Sequence, residues 1–312
     1  MRAVAFDVFG DQEVLHVTDL PEPEAGPGHV VVKVAAATIN PTDVMMRVGK
    51  QAALMTGLRP PFVAGMEFSG HVHALGAAVS GFRLGQAVMG LVNPRRPERG
   101  AHAQYVVVPE ASIAAVPDGV DLVAAATLPM NGVTALMSLD MLGLRPGDAL
   151  LVTGAAGAVG GYVSQIGRSQ GLRVVADAGP SDESLVRALG ASDVVPRGEG
   201  LAAAVRVLFP QGVDGLLDAA LLGRAASALV RDGGVAVALR RANPIDDPRL
   251  RCLYVSVTEG MADTAKLVRL GELVRTGQLT PRIARTLRPD EAAEGHRLVE
   301  GGGLRGRVML VF

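Results

Sequence analysis

The stretch Ala149-Leu150-Leu151-Val152-Thr153-Gly154-Ala155-Ala156-Gly157-Ala158-Val159-Gly160-Gly161 decides the fold. An apolar run, Ala149 to Val152, enters a glycine-rich turn, and beyond it Val159, Val163, Ile166 and Gly167 recur at helical spacing as far as Gly171. A second apolar run, Leu172 to Ala176, ends at Asp177. Strand, tight turn, helix and strand make one βαβ unit of the expected size. The glycines have separate tasks. One permits the turn, Gly157 lets the backbone approach a pyrophosphate, and Gly160 lets the helix close on the sheet. The helix start then offers unpaired N–H groups and a positive dipole end to phosphate. The strict G-x-G-x-x-G spacing is not met, because Ala155 stands at its first glycine. Its context of strand, helix, strand and terminal acid favours a dinucleotide turn over an ordinary βαβ connection.

Outward from this unit, strands and helices alternate from near Pro117-Asp118-Gly119 to about residue 260. Expected strands are Ala149–Thr153, Arg173–Asp177, Asp193–Val195, Val213–Asp218 and Val235–Leu239. Expected helices lie around Val133–Leu142, Gly157–Gln170, Glu183–Leu189, Leu201–Leu208 and Arg224–Val230. That alternation predicts a doubly wound parallel sheet with its ligand at the carboxyl ends of the strands. Cys252–Val257 reads as an edge strand, and an uncovered apolar edge predicts a homodimer joined there.

Before residue 120 the texture is β-rich. Short β-branched runs (His29–Ala35, Phe68–Leu75, Gln104–Val108) alternate with Pro/Gly punctuation. A short helix is predicted to start at Pro41-Thr42-Asp43, and Asn93 to Gly100 reads as an exposed loop. Behind the parallel sheet come helices at Asp263–Arg275 and Pro289–Glu300. A final strand, Arg307–Val311, has no partner nearby and is expected to return to the first domain. The predicted domains are therefore residues 1–120 completed by 263–312, and residues 121–262.

Composition narrows the function. The 312 residues are 49% hydrophobic and 20% charged, in the range of a soluble globular protein. With 30 Lys+Arg against 31 Asp+Glu, there is no electrostatic case for nucleic acid or an anionic membrane. Cys252 is the single cysteine, so neither an intrachain disulfide nor a cysteine-held zinc is expected. Asp7 falls where a signal peptide needs its apolar core, and no apolar run reaches the roughly 20 residues of a membrane span. A cytoplasmic protein is the expectation.

Several stretches resemble the zinc-independent, quinone oxidoreductase-like and enoyl reductase-like branch of the medium-chain dehydrogenase/reductase superfamily. They are Thr38-Ile39-Asn40-Pro41-Thr42-Asp43, Gly65-Met66-Glu67-Phe68-Ser69-Gly70, Gly76 to Phe82, Gly132-Val133-Thr134-Ala135, the glycine turn, Leu189-Gly190-Ala191 and Gly306 to Leu310. They fall in family order and span the chain. The resemblance implies a GroES-like catalytic domain built from both chain ends, a Rossmann domain between them, and an active site in the cleft. It implies an NAD(P)H-dependent reductase passing hydride to a quinone or an α,β-unsaturated carbonyl. A pathway-specific enoyl reductase and a cofactor-binding protein with little catalysis are the other readings.

Zinc-dependent relatives have a cysteine where Asn40 stands and a histidine where Met66 stands. Glu67 alone cannot make the three-ligand site of catalytic zinc, so no zinc is expected. His71 and His73 share a strand face outside the ligand positions and read as exposed polar residues. Asn40 is the catalytic candidate, matching a position near the nicotinamide ribose and substrate. Its amide can donate to an oxyanion but cannot supply a proton, and its structural alternative is a helix cap before Pro41. Met45 stands where some relatives have a tyrosine. His102 and Tyr105 are candidates by location, Tyr105 otherwise packing the core, and water is left to complete protonation.

The cofactor contacts implied are Asn40, Thr134, Ala156, Gly157, Ala158, Val159, Asp177, Ser181, Arg197, Leu239 and Arg307. Asp177 ends the second strand, where an acid favours the ribose hydroxyls of NAD, although it lies one residue before the family's usual acid. Arg197 stands where an arginine can hold the 2′-phosphate of NADP, or it is a solvated loop charge. The resemblance favours NADP(H), with NAD(H) left open.

Overall fold

The computed structural model describes residues 1–312, which divide into two compact units. The first comprises residues 1–130, 261–276 and 281–312; the second comprises residues 131–260 and 277–280.

In the second unit, Ala149–Thr153 lies inside a six-stranded sheet in which every neighbouring pair is parallel. The order is Asp193–Pro196, Arg173–Ala178, Ala149–Thr153, Val213–Asp218, Val230–Ala238, Arg251–Tyr254. The chain runs outward on one side of Ala149–Thr153 and then on the other. Its order therefore reverses between that strand and Val213–Asp218, the position where such sheets open a ligand crevice at their carboxyl ends. Leu150, Leu151 and Val152 are wholly buried, which accounts for the unbroken apolar run. Each such side chain contributes roughly 1.5–3 kcal/mol.

Two expected elements differ, and one strand was not expected. The edge strand is Arg251–Tyr254, not 252–257, because Val257–Gly260 winds into a single 3₁₀ turn. The helix expected at 224–230 stops at Ser227, since Val230 already pairs with Val213 at the head of a strand reaching Ala238. The strand Ile283–Leu287 was not legible: four of its five residues are exposed, so it carries no apolar run.

The first unit holds a seven-stranded sheet. Its path runs Ile283–Leu287, Arg307–Val311, His29–Ile39, Glu67–Leu75, Ala87–Leu91, Ile113–Ala115, with Tyr105–Pro109 also paired to His29–Ile39. The terminal strand does return here, antiparallel to His29–Ile39, with Val308 opposite Ile39. Register then gathers the chemistry. Ile39 ends its strand, Glu67 begins the next opposite Leu91, and Arg307 begins the terminal strand, all at one end of the sheet.

Candidate active site

Asn40 sits in extended backbone at the turn from the Ile39 strand into the helix Pro41–Arg47. The helix start is capped by Asp43, whose Oδ2 accepts the Asn40 N–H at 2.7 Å while its Oδ1 accepts that of Gly65 at 2.9 Å. This frees the Asn40 side chain to turn inward. Its Nδ2 donates to Thr38 Oγ1 at 2.9 Å and Glu67 Oε1 at 3.0 Å, and its Oδ1 accepts from Arg307 Nη2 at 2.6 Å. Both amide hydrogens are thereby engaged within the protein.

Glu67 is the hub. It also accepts the Thr38 hydroxyl, Arg307 Nη2 at 2.6 Å and the Met130 N–H at 2.7 Å. Burial pushes its carboxyl above the ordinary glutamate range, and Arg307 pulls it back, followed by Thr38, Asn40 and Met130. Every contact brings a donor, so the set suits the carboxylate form. Arg307 is 8% exposed and Glu67 is not exposed at all, making this a buried ion pair, in which only the Arg307 Nε lacks a partner.

His102 lies against the same network. Its Nε2 is 2.9 Å from the Thr38 carbonyl oxygen, which only accepts, so Nε2 carries the proton and the buried Nδ1 has no partner. Its ring meets that of His296 edge-on at 6.2 Å. His296 is fully buried with neither ring nitrogen hydrogen-bonded. Burial, helped by His102 and Arg47, holds its pKa well below the histidine range. Tyr105 does not pack the core: its half-buried ring lies 4.7 Å from that of His73. His73 and His71 are exposed, and His73 pairs with Glu22 at 2.9 Å.

In the second unit the glycine turn has the geometry its sequence requires. Gly154 adopts φ +67°, and the Gly157 N–H closes the turn on its carbonyl at 2.9 Å. A Cβ on Gly160 would stand 2.4 Å from the Gly154 carbonyl oxygen, so only glycine lets the helix approach this closely. The helix Ala158–Ser169 starts directly after Gly157, leaving the N–H groups of Ala158 and Val159 without intrahelical acceptors. Thr153 and Asp218 fasten the neighbouring strand end. The Thr153 hydroxyl donates to Asp218 at 2.7 Å, and Asp218 accepts the N–H groups of Leu222 and Gly223.

Asp177 is fully buried and turned onto the glycine turn, where Oδ1 accepts the Ala155 N–H at 3.2 Å. Its Oδ2 has no hydrogen bond and lies 3.6 Å from Arg197 Nε, an ion-pair distance. Burial raises its pKa, and the Ala155 N–H and Arg197 oppose that shift. Arg197 itself is 43% exposed. Ser181 is exposed on the turn Pro180–Asp182, and Leu239 is half-buried one residue past Ala238. Ala156, Gly157, Ala158, Val159, Asp177, Ser181, Arg197 and Leu239 thus all follow or end strands of the parallel sheet at its carboxyl side. Thr134 is buried on the helix Pro129–Leu142.

Sequence reasoning missed Thr38, Asp43 and His296. A capping pattern, Asn40 with an acid three residues on, could have indicated Asp43. Nothing local indicates the other two.

A β-rich unit closed by the terminal strand, with a doubly wound parallel sheet opened by a glycine turn, defines a two-domain nicotinamide-type oxidoreductase. Residues 26–118 match the alcohol dehydrogenase GroES-like domain, and residues 189–310 match the zinc-binding dehydrogenase family. The chain is 32% identical to a solved NAD-dependent alcohol dehydrogenase, with a TM-score of 0.88 over 100% of both chains. It is 27% identical to the quinone oxidoreductase of Coxiella burnetii, with a TM-score of 0.89 over 100% of this chain and 99% of that one. It is also 27% identical to the 2-methylene-furan-3-one reductase of Solanum lycopersicum, over 99% of this chain and 79% of the relative. Several other curated relatives are matched over only 38% to 64% of their own length. The chain belongs to the medium-chain dehydrogenase/reductase superfamily, on the side of its quinone oxidoreductases and enone or enoyl reductases.

Proposed function

We propose that the protein is a zinc-independent, NADP(H)-dependent reductase acting on a quinone or on the β-carbon of an α,β-unsaturated carbonyl. The observation that carries this reading is the composition of the Glu67 cluster. Asn40 offers its amide oxygen to Arg307, Met66 is apolar and buried, and Glu67 is already bound by four donors. Such a set does not fit the three-ligand arrangement of catalytic zinc, and no group of three or more His, Cys, Asp or Glu side chains suited to a metal ion is assembled. An acceptor that is already electron-poor needs no Lewis acid.

The glycine turn fits a dinucleotide. The Gly157 N–H expected to meet the pyrophosphate is spent on the Gly154 carbonyl, so the N–H groups of Ala158 and Val159 bind it beside Ala156 and Gly157, and Arg197 takes the 2′-phosphate with Ser181 nearby. Asp177 braces the turn and orients Arg197. Leu239, Thr134, Asn40 and Arg307 serve the nicotinamide side. Bound NADP(H) supplies the hydride. Asn40, held by Arg307 and Glu67, keeps the acceptor end of the site in one geometry, and water completes protonation.

The unpaired outer edge of Arg251–Tyr254 supports a homodimer, tested by light scattering of the purified protein. No helix is long and apolar enough to cross a membrane, and we read the setting as cytoplasmic.

The test is turnover. NADPH oxidation by a simple quinone and by a conjugated enone is followed before and after exhaustive chelation. Oxidation on either acceptor, unchanged by chelation, supports the reading. Binding without turnover on both, or activity lost with chelation and restored by zinc, overturns it.

A further inference from the structure

The loop after Ala87–Leu91 leaves the sheet at the end where Glu67 and Asn40 lie. Leu91 pairs with Glu67, and the Val92 N–H bonds the Met66 carbonyl at 3.0 Å. Three residues on stands Arg95, half-buried. Its Nε donates to Asn93 Oδ1 at 3.1 Å, the same oxygen that accepts the Arg95 backbone N–H at 3.1 Å. One terminal nitrogen, Nη1, reaches the buried Gln51 Oε1 at 3.4 Å. Two neutral amides from two loops thus aim the guanidinium.

They do not neutralise it. Arg95 has no ion pair, whereas the buried Arg47 pairs with Glu300 and Arg307 with Glu67. Asp43 acts on it electrostatically, but both Asp43 oxygens are engaged by the N–H groups of Asn40 and Gly65. Burial lowers the Arg95 pKa and the neighbouring Arg96 adds to that; the arginines hydrogen-bonded to carboxylates, such as Arg173 and Arg249, shift upward. A guanidinium has five N–H donors. Two are used here, leaving the Nη1/Nη2 edge with a fork that matches a carboxylate. The half-buried guanidinium is thus held in one orientation by neutral amides, with no carboxylate oxygen hydrogen-bonded to it.

We propose that Arg95 is a specificity-determining residue whose unspent guanidinium edge binds a carboxylate on the acceptor, so that the preferred acceptor is an anionic conjugated enone. This rests on the reductase reading above. The overall step adds hydride from the bound nicotinamide to the β-carbon and a proton from water to the α-carbon. It gives the saturated keto acid and the oxidised cofactor, and the carboxylate held by Arg95 is unchanged.

The probes are trans-4-oxopent-2-enoate and its methyl ester, which differ only in the charge. In the wild type, kcat/KM for the acid exceeds that for the ester. In Arg95→Gln the acid-to-ester ratio falls at least about tenfold through KM, and Arg95→Lys, which keeps the charge but loses the fork, falls between. Equilibrium binding of the product acid 4-oxopentanoate and its methyl ester to both proteins gives a readout independent of turnover. Acid binding that exceeds ester binding in the wild type and loses that excess in Arg95→Gln supports the proposal, even where no probe is reduced and the reductase reading itself fails. An acid-to-ester ratio near one in the wild type, or one unmoved by Arg95→Gln in a variant that melts like the wild type, overturns it. A variant that does not fold is replaced by Gln51→Leu, which releases the guanidinium and lowers the same ratio; an unmoved ratio there also overturns the proposal.

Discussion

Each unit holds one arginine–carboxylate pair where its sheet presents functional residues, and the two pairs are built differently. In the first, Glu67 receives four donors and Arg307 is 8% exposed, so the two charges are closed on one another and away from solvent, with only the buried Arg307 Nε left unbonded. In the second, Asp177 is just as buried, but one of its oxygens has no hydrogen bond and Arg197 stands 43% exposed at 3.6 Å. A closed pair fixes shape. An open pair leaves a cation facing solvent with donors to spare, which is what an anionic ligand needs. The same residue types therefore close a scaffold in one place and, in the proposed reading, serve recognition in the other.

The contrast breaks first at Arg307. Arg307→Met leaves Glu67 as a buried carboxylate without its cation and is expected to cost about 3–5 kcal/mol in chemical denaturation. Adding Glu67→Gln recovers part of that loss; a single variant as stable as the wild type contradicts a closed pair. Next is Gly160→Ala. Its methyl group falls 2.4 Å from a backbone oxygen, so about 1–3 kcal/mol is lost together with nucleotide binding. Arg197→Gln is expected to weaken NADPH binding by roughly 10- to 100-fold, to leave NADH binding nearly unchanged, and to move the melting point little. The smallest effect is on pH. Because the folded-state pKa of His296 lies well below 6.5, its stabilising contribution is complete above pH 6.5 and is lost as pH falls beneath that value. The slope is at most about 1.4 kcal/mol per pH unit, and His296→Leu flattens it in melting curves taken between roughly pH 7 and 5.

The parallel sheet was legible because burial on both faces writes itself as unbroken apolar runs, and the turn because Gly154, Gly157 and Gly160 are backbone requirements. The exposed strand Ile283–Leu287 writes no such signal. Asn40 stood out in the sequence as a site candidate but its orientation did not, since that is set by Arg307, 267 residues away in the chain. Arg95 and His296 have ordinary surroundings in sequence. Their half-buried or orphaned state arises only when distant loops and helices pack over them.

In the proposed reading the open pair in the parallel-sheet unit selects NADP(H). The direct measurement is a paired equilibrium titration of the wild-type protein with NADPH and NADH. A Kd for NADPH at least about tenfold below that for NADH is the predicted result, corresponding to about 1.4 kcal/mol from the 2′-phosphate. Equal affinities, or a preference for NADH, would contradict the assignment of Arg197 and give Asp177 the deciding role.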